Sequence, residues 1–437
     1  MFQTVALSRL LIAFISAIFV CNGKADDWPQ WRGADRDGKW NEKGLIEKFD
    51  GPEIKRKWSV KIGAGYTGPT VAEGRVFVMD RLTEPKQVER VWCFNEKDGT
   101  KIWSHEYDCE YKNVGYMAGP RASVTIDGQR AYSLGTMGNL KCFDVSNGKV
   151  IWDHDCDQEY RIREDKRMPI WGIAASPLIY ENLVIVHLGA KGASMVAFDK
   201  TNGKEVWKSM NDFAQYSSPI LIKQGMKDVC VIWTGDNVAG LDPKTGKQYW
   251  KVPMKPRNMP IGIATPLVHE GHLFVTSFYD GAMMLKLDDG PGATIAWRKV
   301  GRNELRTDAL HSIISTPVFS SEYIFGVDSY GEFRCIRASD GSRIWEDQTA
   351  VPKARWSTIH FVENGNRVWM FNERGELIIA KLSAKGFEEI SRAKLIKPTL
   401  QQLRRRKGVC WAHPAFANKC IFARNDNELV CADLSKD

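Results

Sequence analysis

Eight residues of the sequence could build one ligand site. Tyr66, Arg121, Trp171, Tyr216, His311, Trp356, Trp411 and His413 each stand just ahead of a short apolar, strand-like stretch. If those stretches converge, they carry a mouth lined by aromatic rings, one arginine and two histidines. Such a mouth suits a planar, sugar-like or peptide ligand, because rings stack and a guanidinium grips anions. The competing reading is that the rings only fill gaps between loops. A second set is basic: Arg161, Arg163 and Arg167 in one segment, Arg302 and Arg306 in another, and Arg404, Arg405 and Arg406 in a third. Arginine-rich loops on one face attract carboxylates, sulfates or an acidic partner. Asp155, Asp157, Glu159, Glu304 and Asp308 lie close by in sequence, so solvated, partly neutralised charge is the alternative here.

Catalytic motifs do not accompany these sets. The sequence has no His-Glu-x-x-His, no phosphate-loop lysine motif, no Gly-x-Ser-x-Gly and no Cys-x-x-Cys-His. We therefore assign no catalytic and no metal-ligating residue. Cys93, Cys142, Cys335 and Cys431 recur at one repeat position and read as small core packers. Cys109 and Cys156 fall in neighbouring long loops, and a disulfide between them is an expectation for an oxidising compartment. The acidic and amide run Asn425 to Glu428 reads as a turn.

The elements that must position these residues are set by a repeat. Gly-x-x-x-Trp occurs at Gly99/Trp103, Gly148/Trp152, Gly203/Trp207, Gly246/Trp250 and Gly341/Trp345. Gly292/Trp297 carries one extra residue, and Gly386/Ile390 replaces the Trp. An acidic or amide residue after an apolar strand precedes most copies, as in Phe143-Asp144 and Phe198-Asp199. This is a hairpin: the side chain caps its own turn and Gly takes the positive φ. From Trp58 onward the Trp intervals run from 43 to 55 residues. An all-strand period of that length predicts four-stranded propeller blades. Each unit opens on a small residue followed by Pro, as in Ser176-Pro177, Ser218-Pro219 and Thr316-Pro317. The chain stops where its last outer hairpin should turn, whereas Trp58 has an outer-strand context with no hairpin before it. Residues 57–62 are thus expected to close the last blade and leave no open edge. The count is eight blades, or seven if the degenerate copy at 357–390 is not a blade. Loops 104–119, 153–174, 208–217, 251–263, 298–314, 346–356 and 391–411 would then share one face.

The repeat resembles the pyrroloquinoline-quinone (PQQ) repeat of quinoprotein-like and BamB-like eight-bladed propellers, over roughly residues 57–437. The resemblance implies an all-β fold in which Trp58, Trp103, Trp152, Trp207, Trp250, Trp297 and Trp345 dock adjacent blades. It implies a weaker junction at Ile390. The leader Asp27-Trp28-Pro29-Gln30-Trp31-Arg32-Gly33 is similar to the start of many exported members. One branch of the family implies an oxidoreductase holding PQQ and calcium at one mouth. Those enzymes commonly carry two adjacent cysteines, and no two are adjacent here. The chain is also short for that branch. The non-catalytic, cofactor-free branch is therefore the leading expectation: a scaffold at the cell envelope whose loops on one face contact a partner protein. A binder of acidic or sulfated glycans is the third reading.

Length, composition and leader bound the rest. The 437 residues are 26% charged with both signs mixed, and mean hydropathy is −0.34. Bulk disorder and a polytopic helical membrane protein are excluded. Leu10 to Val20 is an apolar run too short to span a bilayer, and Gly23 and Ala25 set up cleavage after Ala25. Residues 1–25 are expected to be a signal peptide, 26–56 an irregular arm packed over the propeller, and 57–437 the propeller itself. Val20 argues against lipidation of Cys21. Loss of Arg9 and Lys24 takes the charge from +8 to +6, a mild excess that does not point to nucleic acid. The expected product is an exported monomer, in the periplasm or outside the cell, with an envelope protein or an acidic ligand as partner and no transmembrane segment.

Overall fold

The computed structural model describes residues 26–404 and 406–436; the signal-peptide expectation, Cys21 and Arg405 lie outside the described residues. Eight four-stranded antiparallel sheets form the blades of a propeller. They span 70–108, 125–155, 178–209, 220–253, 267–299, 318–347, 359–394 and 415–433. We number them blades 1 to 8 in that order. Strand Arg56–Lys61 completes blade 8 as its outer strand, pairing with Glu428–Asp433. The fold is all-β, and the one described helix is the four-residue turn Cys156–Glu159. The 399–403 segment, which we expect as a short helix after Pro398 from sequence, is irregular.

Two periodic features hold the ring together. The first is the Trp latch. The Trp58 indole N–H donates to the Glu96 carbonyl, Trp103 to Val145, Trp152 to Lys200 and Trp207 to Pro243. Each acceptor lies in the next blade's outer turn. There the turn glycine takes a positive φ and leaves no room above it: a Cβ on Gly148 would sit 2.5 Å from the Trp103 ring. The same residue therefore makes the turn and seats the neighbouring Trp. Blade 5 carries the lengthened turn, and its junction uses another device. Gln224 accepts from the Trp250 indole and donates to the Gly292 carbonyl, bridging the gap.

The second feature is a belt of hydroxyls at the start of the inner strands. The Ser123 N–H donates to Ser176 Oγ, the Ser176 N–H to Ser218 Oγ, and the Thr265 N–H to Thr316 Oγ1, at 2.9 to 3.0 Å. Small hydroxylated residues before Pro thus tie three pairs of neighbouring inner strands, at a point where those strands do not pair.

The arm enters the central channel from the face opposite the long loops. Trp28 bridges Val71 of blade 1, and the Pro29 carbonyl accepts from Ile126 of blade 2. Arg36 is fully buried and donates to the carbonyls of Ser176, Pro177 and Pro219. Trp31 donates to Thr265 Oγ1 of blade 5 at 2.8 Å. The arm therefore closes this end of the channel. It then runs along blades 7 and 8, the pair whose junction lacks its Trp. Leu45 pairs with Ser435, Glu53 bridges Lys394, and the Phe49 N–H donates to Ser391 Oγ, next to Ile390 in sequence. Leu45 joins Trp369, Leu377 and Phe416 in one apolar cluster, with Phe49 and Ile54 packed on it. Ile390 itself stays exposed, while the arm packs against Trp369 of blade 7 and Phe416 of blade 8.

Candidate functional site

At the loop-bearing end of the channel the structure gathers seven of the eight expected residues around one cavity of about 120 Å³: Tyr66, Arg121, Trp171, Tyr216, Trp356, Trp411 and His413. Each comes from a loop that rises from one blade's outer strand and descends into the next inner strand. The rings meet in sequence around the axis. Trp171 stacks on Tyr216 at 5.0 Å, and Trp356 faces Trp411 at 6.5 Å. Tyr66 donates its hydroxyl to the Gln402 carbonyl, and the Trp171 N–H donates to the Tyr216 hydroxyl. Trp411 is held by Glu373, which accepts from its indole, and by Gln402, which accepts from its backbone N–H.

Sequence reasoning missed three contributors. Tyr116 reaches across from the 104–119 loop and touches Trp171, Trp356 and Trp411 from above. It takes a left-handed φ of 53°, as Trp356 does at 69°. Two bulky residues held there are strained, and strain of that kind collects at ligand sites. Trp31 of the arm supplies the floor, and His360 of blade 7 stands beside His413 with ring centroids 4.8 Å apart. Neither Tyr116 nor His360 sits directly before a Pro-led strand, so the repeat carried no signal for them.

Two expected roles change. His311 is not in the cavity. It is fully buried, accepts from the Gly301 N–H and bonds the Phe278 carbonyl, so it clamps the 298–314 loop. Arg121 lines the cavity, but its terminal nitrogens donate to the carbonyls of Gly115, Tyr116 and Gly119 and to Thr136. It shapes the loop that delivers Tyr116 and has little left for an anion. No carboxylate stands among the lining residues. Burial pushes His360 down to about 4 and His413 well below the ordinary imidazole range, so both rings are neutral at pH 7.

The basic loops do not make one patch. Arg161 pairs with Glu164 and Arg163 with Asp157. Arg167 donates to the carbonyls of Gly189 and Asn211, and Arg406 pairs with the buried Glu373. Arg302, Arg306 and Arg404 are exposed. The expected disulfide is absent too: Cys109 and Cys156 are separate buried thiols. The repeat-position cysteines Cys93, Cys142, Cys335 and Cys431 are core packers. Among the described residues no three His, Cys, Asp or Glu side chains cluster as metal ligands, and no helix is long and apolar enough to cross a membrane.

Eight sheets, Trp latches and a loop-borne mouth define an eight-bladed propeller of the PQQ-repeat class. The chain belongs to the PQQ_2 family, described as outer membrane protein assembly factor BamB, whose pattern matches residues 42–221, 87–347 and 234–437. No curated protein sequence matches the chain at significance. Among solved structures it is similar to BamB from Moraxella catarrhalis, at 16% identity and a TM-score of 0.56, over 87% of this chain and 97% of that one. It is also similar to quinohemoprotein alcohol dehydrogenase from Comamonas testosteroni, at 12% identity and a TM-score of 0.60, over 93% of this chain and 80% of that one. At these identities the likeness is one of fold.

Proposed function

We propose that this protein is an exported, non-catalytic binding module of the cell envelope, and that its loop-bearing mouth seats an apolar, ring-bearing group of its partner. The convergence of Tyr and Trp from separate blades on one cavity carries the reading. The far end of the channel is closed by the arm, so a ligand has one way in. The left-handed backbone at Tyr116 and Trp356 supports a site held under strain for use. The family description, an outer membrane assembly factor, agrees with an envelope role.

The oxidoreductase reading is the less supported one. PQQ carries three carboxylates. The lining offers a single guanidinium, already engaged by the 115–119 loop, and no carboxylate for a calcium ion. Titrating PQQ with and without calcium, followed by tryptophan fluorescence, tests this. We expect no saturable quenching; saturable, calcium-dependent quenching would overturn the cofactor-free assignment. The glycan reading fares no better, because Arg161, Arg163, Arg167 and Arg406, four of the eight arginines it needs, are already tied to acids or carbonyls of the chain.

A further inference from the structure

We propose that the floor of this cavity selects a neutral ring bearing a hydrogen-bond donor, that is, a phenol or indole group. The inference rests on the cavity being the binding site, and it names the chemistry of the group bound there.

The argument starts from two histidines whose tautomers are set by their partners. The His413 Nδ1 faces the Pro414 carbonyl, and a carbonyl only accepts, so Nδ1 carries the proton. The other nitrogen, Nε2, is then a bare lone pair, and it is buried with no hydrogen-bond partner. The same logic applies to His360. Its Nε2 donates to the Trp411 carbonyl at 2.8 Å, which leaves Nδ1 as an acceptor. Both rings line the cavity. The two imidazoles therefore bring lone pairs and no free N–H to the floor, beside the rotatable hydroxyls of Tyr216 and Ser218 and under walls made of aromatic faces. A buried acceptor left unpaired is destabilising, and a ligand that brings an O–H or N–H removes that penalty.

Charge narrows the class further. Burial and the nearby Arg32 keep His413 neutral. An anion meets lone pairs and no available guanidinium. A cation meets Arg121, which sits 5.1 Å over the Tyr66 ring, and no lining carboxylate. A neutral donor is what remains. The size agrees: engineered cavities of roughly 150 Å³ take one benzene ring, and this one is about 120 Å³. Trp31 and Trp171 offer flat surfaces for that ring, and Tyr116 closes over it.

The test uses the folded chain and two ligands of equal shape. p-Cresol and p-xylene differ only in a hydroxyl against a methyl. Calorimetric titration should show p-cresol binding at least about tenfold more tightly. His360→Phe combined with His413→Phe keeps two flat rings, removes both lone pairs and should abolish the preference while p-xylene still binds. Should that variant not fold, the wild-type comparison stands alone. p-Xylene binding as well as or better than p-cresol overturns the donor rule and leaves the cavity as a plain apolar site. Binding of neither overturns the cavity as a site, and this inference with it. N-acetyl-tyrosine N-methylamide, run alongside, separates the sources. Binding at least as tight as p-cresol assigns the group to a partner's side chain. Exclusion, with p-cresol still bound, assigns it to a free small molecule.

Discussion

At one end of the channel a buried guanidinium bonds carbonyls from two blades; at the other, rings meet rings around an unpaired imidazole nitrogen. Arg36 and Trp31 use charge-assisted and neutral hydrogen bonds to fix the arm against inner strands that cannot pair with each other. Every such bond is directional, although Arg32 Nε and Trp40 Nε1 of the arm are buried without partners. The loop-bearing end is built from dispersion and stacking, with strained backbone at Tyr116 and Trp356 and an acceptor lacking its donor. The contrast teaches where stability and binding reside. The closed end holds the ring; the strained, incompletely satisfied end is free to gain from a ligand.

The largest effect should come from the closed end. Arg36→Met strands three buried carbonyls and should cost about 3–5 kcal/mol in denaturant unfolding. A loss below about 1 kcal/mol would show that the arm is a surface strap and not a plug. Acid comes next. Unfolded histidine takes up its proton near pH 6.5, whereas His187 and His360 resist protonation until about 4. The unfolded state therefore binds more protons between those limits, and stability falls as pH drops through that window. Each ring contributes about 1.4 kcal/mol per pH unit. Buried His413 adds to the same trend; unfolding at pH 6 and pH 5 measures it, and His360→Asn should remove one ring's share, about a third or less of this contribution.

Trp171→Ala acts at the open end. It should weaken p-cresol binding by about 2 kcal/mol while changing stability less than Arg36→Met does. Equal damage to both would erase the distinction between the two ends. The smallest effect belongs to the rim. The Arg161–Glu164 pair is fully exposed, and Arg161→Ala should leave retention on a sulfated-glycan column unchanged; reduced retention would revive the glycan reading.

What could be read from the sequence follows from the range of the forces involved. The latch was legible because Gly148 and Trp152 belong to one hairpin, and the same local chemistry recurs blade after blade. The closing strand was legible because Trp58 had the latch context without a hairpin. The cavity was partly legible, since Trp171, Tyr216 and Trp411 all precede inner strands. His360 and Trp31 were not, because their places depend on the arm threading past the inner strands of several blades. Arg121 was placed correctly and its role misjudged. Nothing in sequence shows that the 115–119 carbonyls turn inward to meet it. The junction at Ile390 shows the same limit: the missing Trp was visible, and the packing of Leu45, Phe49 and Ile54 against blades 7 and 8 was not.

The pairing of Arg56–Lys61 with Glu428–Asp433 also sets a timetable. Arg56 bonds Glu428 across 372 positions of chain. A ribosome adding roughly 5–20 residues per second needs on the order of 20–70 s to cover that distance. For that interval blade 8 has an outer strand and no partner for it, and seven finished sheets wait on a ring that is still open. Whatever escorts the nascent chain must shield Trp58 and the unpaired backbone around it until Glu428–Asp433 has emerged.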